Sequence, residues 1–362
     1  MAKVNFDYLN IFKEPPLMAA LLVRHFFKRG GLAGGRVLVV NTSLIGEFAA
    51  SLPALHEFIK KNSGTMVDLM VSPPLKPLAE RVCGVHKVYT AKSVFARAAE
   101  EHPEGAPPAN AYEKIIVMRI SPSSYRALGA IKTASLKTSL SAMTAYGLHM
   151  GWRLLVGKTP KSWREVNFGM FGYAPKDVLF EDIFDFSDAD YEQLKKEVPL
   201  ATLPNKLIIH TGASWVTNQW PAERWAETLK LLRPLGYEFI FVGSARDKAD
   251  FDFISSKLDF PVHSLIGQIS LVQLVLLLRK SQYFIGVDSG PRNFAHLVDL
   301  PSITLLGPGP HMYTPPNPRD ITLDRSGGRG LYQRFISKKG CLFINRITPK
   351  DVVDAFARLR TH

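Results

Sequence analysis

Cysteine is scarce. The 362 residues hold two, Cys83 and Cys341, far apart and in no CxxC or Cys/His cluster. That excludes a disulfide framework and a cysteine-built metal site, and both residues read as core thiols in a reducing compartment. Long apolar runs are missing as well. No stretch of about 18 apolar residues is available to span a bilayer, and no short apolar segment precedes a small-residue cleavage site, so the chain reads as soluble and cytoplasmic. Spacing excludes several chemistries. Gly157-Lys158-Thr159 needs a glycine at 152 to form a phosphate-binding P-loop, and Trp152 stands there. No GxGxxG follows an expected strand, and no GxSxG or HExxH occurs, which removes dinucleotide redox chemistry, α/β-hydrolase chemistry and zinc proteolysis.

Acidic residues are absent from two stretches of an otherwise mixed chain. Lys+Arg number 45 against 32 Asp+Glu, a net charge of +13, and from Lys114 to Arg164 there are basic residues and no acidic one. Arg325 to Arg346 is a second such stretch. These blocks attract anions: a phosphorylated substrate, an anionic membrane surface or nucleic acid, with a merely solvated surface as the plain alternative. No aromatic stacking motif or zinc finger accompanies the charge, which argues against nucleic acid. A 46% hydrophobic and 10% aromatic content provides a folded core, and the length suits about two domains.

Along the chain, Phe6 to Phe27 reads as a short apolar helix with a basic end, suited to packing on the body of the fold or lying on a membrane surface. Glycines 30, 31, 34 and 35 break it before Arg36–Asn41, a β-branched run typical of a buried parallel strand. A tight loop, Thr42 to Glu47, leads to a helix over Phe48–Lys60 with Leu52, Leu55 and Ile59 on one face. Met66–Val71, Lys87–Tyr89 and Lys114–Met118 read as further strands. Phe184–Pro204, polar and acidic, reads as a linker. The pattern then restarts, with strands at Lys206–His210, Glu238–Val242, Tyr283–Val287 and Ser302–Leu306. Helices are expected at Pro221–Leu232, with proline at its favoured first position, and at Leu271–Leu278 and Ser289–Val298. Alternating strands and helices imply parallel sheets, whose ligands meet the carboxyl ends of the strands.

The residues at those ends carry a resemblance. Val37–Leu55 with Leu52-Pro53-Ala54-Leu55, His210–Ser214 with Gln219-Trp220-Pro221 and Arg224-Trp225, Phe241-Val242-Gly243, Ile266-Gly267, Val287–Pro291 and the closing Ile347-Thr348-Pro349 occur in order. Together they resemble the glycosyltransferase family that contains the bacterial lipopolysaccharide heptosyltransferases, family 9. The resemblance implies a GT-B architecture: two Rossmann-like parallel-sheet α/β domains facing a central cleft. The expected organisation is a helical extension over 1–35, an acceptor domain over 36–190, a nucleotide-sugar domain over 200–345 and a C-terminal helix over 346–362.

It also implies inverting sugar transfer without a metal or cofactor. A nucleotide sugar would be the donor and an anionic glycolipid such as lipopolysaccharide core the acceptor, at the inner face of the inner membrane. A binding protein with a degraded transferase site is the alternative. Glu47 takes the place of the family's aspartate base. Ser214, Asn218, Asp247, Asp288, Ser289, Gly290, Arg292 and Asn293 are the expected donor contacts, and Lys114, Arg119, Arg126 and Lys132 the acceptor contacts. Two departures stand out. Asn218 replaces a lysine that many members carry, and Asn293 replaces a histidine; Arg292 is the expected substitute cation. Read from the residues alone, Asp288–Pro291 opens a helix whose positive end suits a diphosphate, although Asp288 or Ser289 would equally serve as an N-cap. Glu47 would equally complement a helix dipole, and Asp247 is equally a plain surface aspartate.

Overall fold

The computed structural model describes residues 14–27, 35–93, 107–108, 111–129, 131–138, 162–213, 218–307, 318–325 and 343–361. The chain divides into two compact units between Asp185 and Phe186.

The first unit is built on a five-stranded parallel sheet of order β3-β2-β1-β4-β5. Its strands are β1 (Arg36–Asn41), β2 (Met66–Val71), β3 (Val85–Thr90), β4 (Tyr112–Arg119) and β5 (Thr133–Thr138). Val37 to Val40 are all buried, as expected of a central strand covered on both faces. Helix α1 (Glu14–Phe27) covers one side, with Met18 and Leu21 in a cluster with Leu38, Val40, Ile115 and Val117. Helix α2 (Ile45–Lys61) buries Leu52, Leu55 and Phe58. It starts three residues earlier than the apolar pattern suggests, which brings Glu47 into its first turn. Short helices α3 (Lys76–Ala79) and α4 (Pro122–Leu128) follow β2 and β4. Then come α5 (Trp163–Phe171), whose Phe171 ring stacks 5.0 Å from Phe58, and α6 (Phe180–Ile183).

The boundary between the units falls within the expected linker, Phe184–Pro204, which carries a helix. In α7 (Asp188–Glu197) the Ser187 backbone N–H and hydroxyl both donate to Asp190, 2.8 Å each. The acidic run is thus a helix start favoured by the dipole, not an unstructured tether.

The second unit carries a six-stranded parallel sheet of order β11-β10-β9-β6-β7-β8. Its strands are β6 (Lys206–His210), β7 (Glu238–Phe241), β8 (His263–Ser264), β9 (Tyr283–Val287), β10 (Ser302–Leu306) and β11 (Asp320–Asp324). The helices are α8 (Ala222–Leu232), α9 (Lys248–Ser256), α10 (Leu271–Arg279), α11 (Gly290–Leu297) and α12 (Pro349–Leu359). Pro221 is the N-cap of α8, one position before the expected site.

The tryptophan motif is structural. Trp220 Nε1 donates to Ile347 O at 3.1 Å, and Arg224 donates to the carbonyls of Ile347 (2.6 Å) and Asn345. Trp225 is buried against Trp220 in an edge-to-face pair at 5.1 Å. These contacts seat α12, whose Val352, Phe356 and Leu359 join the core of this unit.

Candidate active-site residues

In the first unit the expected strand-end loop is Thr42–Leu44, which leads into α2. A bulge in the pairing of β1 with β4 shapes it: Val40 faces Val117, whereas Asn41 faces Arg119. Such a bulge re-aims a side chain, here the Arg119 guanidinium. Arg119 Nη2 lies 2.6 Å from Glu47 Oε1 and Nη1 lies 2.7 Å from Glu14 Oε2. Arg119 and Glu14 are buried, while the Glu47 side chain keeps 28% exposure. Burial pushes the Glu14 carboxyl above its ordinary range, and Glu47 adds to this against the pull of Arg119. Burial alone would weaken the Arg119 guanidinium's hold on its proton, but Glu47 and Glu14 outweigh it and raise its pKa. Glu47 Oε2 and Glu14 Oε1 are buried and have no hydrogen-bond partner.

Arg119 was expected among the acceptor contacts; it is instead an interior ion-pair residue, because two carboxylates claim its guanidinium. Lys114 is half-buried on β4, while Arg126 and Lys132 are exposed. Arg153, Lys158 and Lys161 lie outside the described residues, and Arg164 pairs with Asp177 at 2.5 Å.

In the second unit Ser289 caps α11 by backbone position. Its side chain makes no capping bond, and its Oγ is buried without a partner. Asn293 Nδ2 donates to Ser289 O at 3.2 Å. Asp288 and Gly290 are half-buried beside it. Arg292 does not supply the expected cation at this helix start. It is fully buried, its Nε donates to Thr304 Oγ1 at 3.1 Å, and its Nη2 lies 3.7 Å from Asp320. Burial lowers its pKa against Asp320 and Asp288, yet an arginine remains charged.

Asp320, at the start of β11, accepts hydrogen bonds from the hydroxyls of Ser302, Thr304 and Thr322 at 2.6–2.8 Å. His296 Nε2 lies 3.2 Å from it. Burial, then Arg292, lowers the His296 pKa. Burial would raise the Asp320 pKa, but the hydrogen bonds and the Arg292 charge hold its carboxyl well below the usual range. No sequence signal marked Asp320 or Glu14: each is a lone acid whose partners are distant in the chain.

Asn218 is buried at the start of the loop before Trp220, and Ser214 lies outside the described residues. Asp247 Oδ2 accepts from the Ser244 backbone N–H (2.7 Å) and hydroxyl (3.1 Å). A Cβ at Gly212 or Gly243 would overlap the Asp247 carboxylate, so both glycines make room for it. Next to them His210 Nδ1–H donates to Val242 O at 2.8 Å, and burial lowers its pKa. Among the described residues no group of three or more His, Cys, Asp or Glu is arranged to hold a metal ion.

Two all-parallel α/β sheets, each with a helix opening at strand ends, make the GT-B glycosyltransferase architecture. The solved Escherichia coli ADP-heptose lipopolysaccharide heptosyltransferase II shares it, with a TM-score of 0.66 at 17% identity, covering 90% of this chain and 98% of that one. Residues 161–331, just under half of the chain, match the model of glycosyltransferase family 9 (heptosyltransferase). Lipopolysaccharide heptosyltransferase 3 of Escherichia coli is 24% identical over 188 residues, 50% of this chain; the chain thus spans about half of that protein's length, 55%. Lipopolysaccharide heptosyltransferase 1 of Pseudomonas aeruginosa is 24% identical over 295 residues, 75% of this chain and 79% of that protein.

Proposed function

We propose that this glycosyltransferase transfers a heptose or related sugar, with inversion, from a nucleotide diphosphate donor to an anionic glycolipid such as lipopolysaccharide core. The observation that carries the reading is the start of α11 within the matched segment. The first N–H groups of a helix have no intrahelical partner, and here the Ser289 hydroxyl beside them is buried and unsatisfied. A diphosphate would satisfy both while the helix dipole offsets its charge. The reading calls for no metal.

In the reaction the acceptor hydroxyl oxygen attacks the anomeric carbon, and the bond from that carbon to the diphosphate breaks with its electron pair leaving on the nucleoside diphosphate. The hydroxyl proton passes to Glu47. The exposed Arg126 and Lys132 suit an anionic acceptor, and α1, with Val23 and Phe26 exposed beside Arg24, suits a membrane surface at the cytoplasmic face.

One observation favours a second reading, a nucleotide-sugar binding protein without turnover: with Arg292 withdrawn to Asp320, the cation lost at Asn218 is not replaced by its expected substitute. Titration with ADP- and UDP-sugars, followed by transfer assays on heptose-deficient lipopolysaccharide, separates the two. Transfer supports the first reading; tight binding with neither transfer nor donor hydrolysis supports the second. Glu47→Gln should keep donor affinity and slow transfer about 100-fold or more. An unchanged rate removes Glu47 from the chemistry.

A further inference from the structure

We propose that Arg119 and Glu14 are positioning residues for Glu47: Arg119 fixes the Glu47 carboxylate through Oε1 for proton transfer, and Glu14 locks Arg119 and offsets its charge. The proposal rests on the reading of Glu47 as the base.

Glu47 uses one oxygen, Oε1, on Arg119 at 2.6 Å, and its other oxygen is shielded from water with no partner. Glu14 is held in the same way, through Oε2 at 2.7 Å with its Oε1 buried and without a partner, so one guanidinium fixes both carboxylates. A general base must be held where it can meet the proton it removes, and Arg119 holds Glu47 while the Glu47 side chain keeps 28% exposure.

A guanidinium alone would be a poor neighbour for a base, because its positive charge favours the ionised carboxylate and weakens its pull on a proton. Glu14 answers this. It is buried, and it takes the other terminal nitrogen of Arg119 at 2.7 Å, so one cation is shared between two carboxylates. Glu14 comes from α1, outside the alternating strands and helices of the sheet, and Arg119 reaches both carboxylates because the bulge after Val117 sets it opposite Asn41. In the transfer step the acceptor O–H bond breaks, its proton goes to the Glu47 carboxylate, the new bond forms between acceptor oxygen and anomeric carbon, and the nucleoside diphosphate leaves with the electron pair.

The test uses the full chain with ADP-heptose as donor and heptose-deficient lipopolysaccharide as acceptor, with donor hydrolysis by water as a second readout. Arg119→Lys keeps the charge but lacks the two separate nitrogens that bridge the carboxylates. Glu14→Gln keeps the shape and removes the charge. Both should lower kcat about 10- to 100-fold, the scale of a misplaced catalytic group, with donor KM unchanged and thermal unfolding showing a folded protein. In the Glu47→Gln background neither should lower kcat further, because the group they position is gone. Should either loss persist in that background, the residues act through the fold and the proposal fails. Normal kcat in both variants, beside a slow Glu47→Gln, overturns the proposal and leaves Glu47 as the base. A Glu47→Gln enzyme as fast as the parent, or a parent without turnover on either readout, overturns the underlying reading and this proposal with it.

Discussion

Ser289 occupies the position where a serine normally caps a helix, yet its hydroxyl makes no bond to α11. Removing a functional serine cap costs about 1 kcal/mol; here Ser289→Ala should leave the unfolding midpoint within the scatter of repeat measurements. Donor affinity, measured by calorimetric titration with an ADP-sugar, should fall about 5- to 10-fold, the worth of one hydrogen bond. The reverse pattern, lost stability with unchanged affinity, would return Ser289 to an ordinary cap. The motif around this serine was legible in the sequence because a polar pair after an apolar strand announces a strand-to-helix turn. The purpose of Gly212 and Gly243 was not legible. A glycine at a strand end reads as room for a ligand, and the room is taken by the Asp247 side chain from the next turn.

Among the elements, the central strands were readable because burial on both faces demands continuous apolar runs, as in Val37–Val40 and Leu207–Ile209. The strands that escaped, β5, β8 and β11, all lie at sheet edges and carry sequences such as Asp-Ile-Thr-Leu-Asp. An edge strand has a neighbour on one side only, so its composition is free to be polar. Missing β11 meant missing Asp320, and with it the true partner of Arg292. That pairing sets a prediction for the contact between α11 and β11. Arg292→Ala leaves a buried carboxylate without its cation and should destabilise the protein by about 3–5 kcal/mol, read as a lower denaturant midpoint. A variant that unfolds like the parent but binds donor poorly would instead place Arg292 at the diphosphate.

For the whole molecule, acid sensitivity follows from histidines whose pKa the fold lowers, the half-buried His56 in the first unit and the more deeply buried His210 and His296 in the second. His56, His210 and His296 all have lowered pKa values, burial being the first cause in each. The unfolded chain takes up protons at these positions near pH 6.5, before the folded chain does. Stability is therefore full above about pH 6.5 and declines as the pH falls towards the folded values, with a slope of up to about 1.4 kcal/mol per pH unit for each histidine. Asp320, held low in the fold, adds a further loss below about pH 4, its ordinary unfolded range. Urea unfolding at pH 8 and pH 5.5 should show the decline, and His296→Gln should remove part of it; a midpoint constant across that interval would contradict the burial of these groups.

The clamp from Trp220 and Arg224 onto Ile347 has a consequence for how the molecule can be divided. It joins residues 127 positions apart and seats α12, whose Phe356 completes the core around Tyr237 and Tyr283. A fragment cut at the borders of the recognisable family segment, 161–331, would discard that helix. It would also keep α5 after removing α2, the helix whose Phe58 stacks on Phe171. Such a piece retains the signature by which its kinship is detected and loses apolar contacts at both ends. The segment that matches the family model is therefore shorter than what folds.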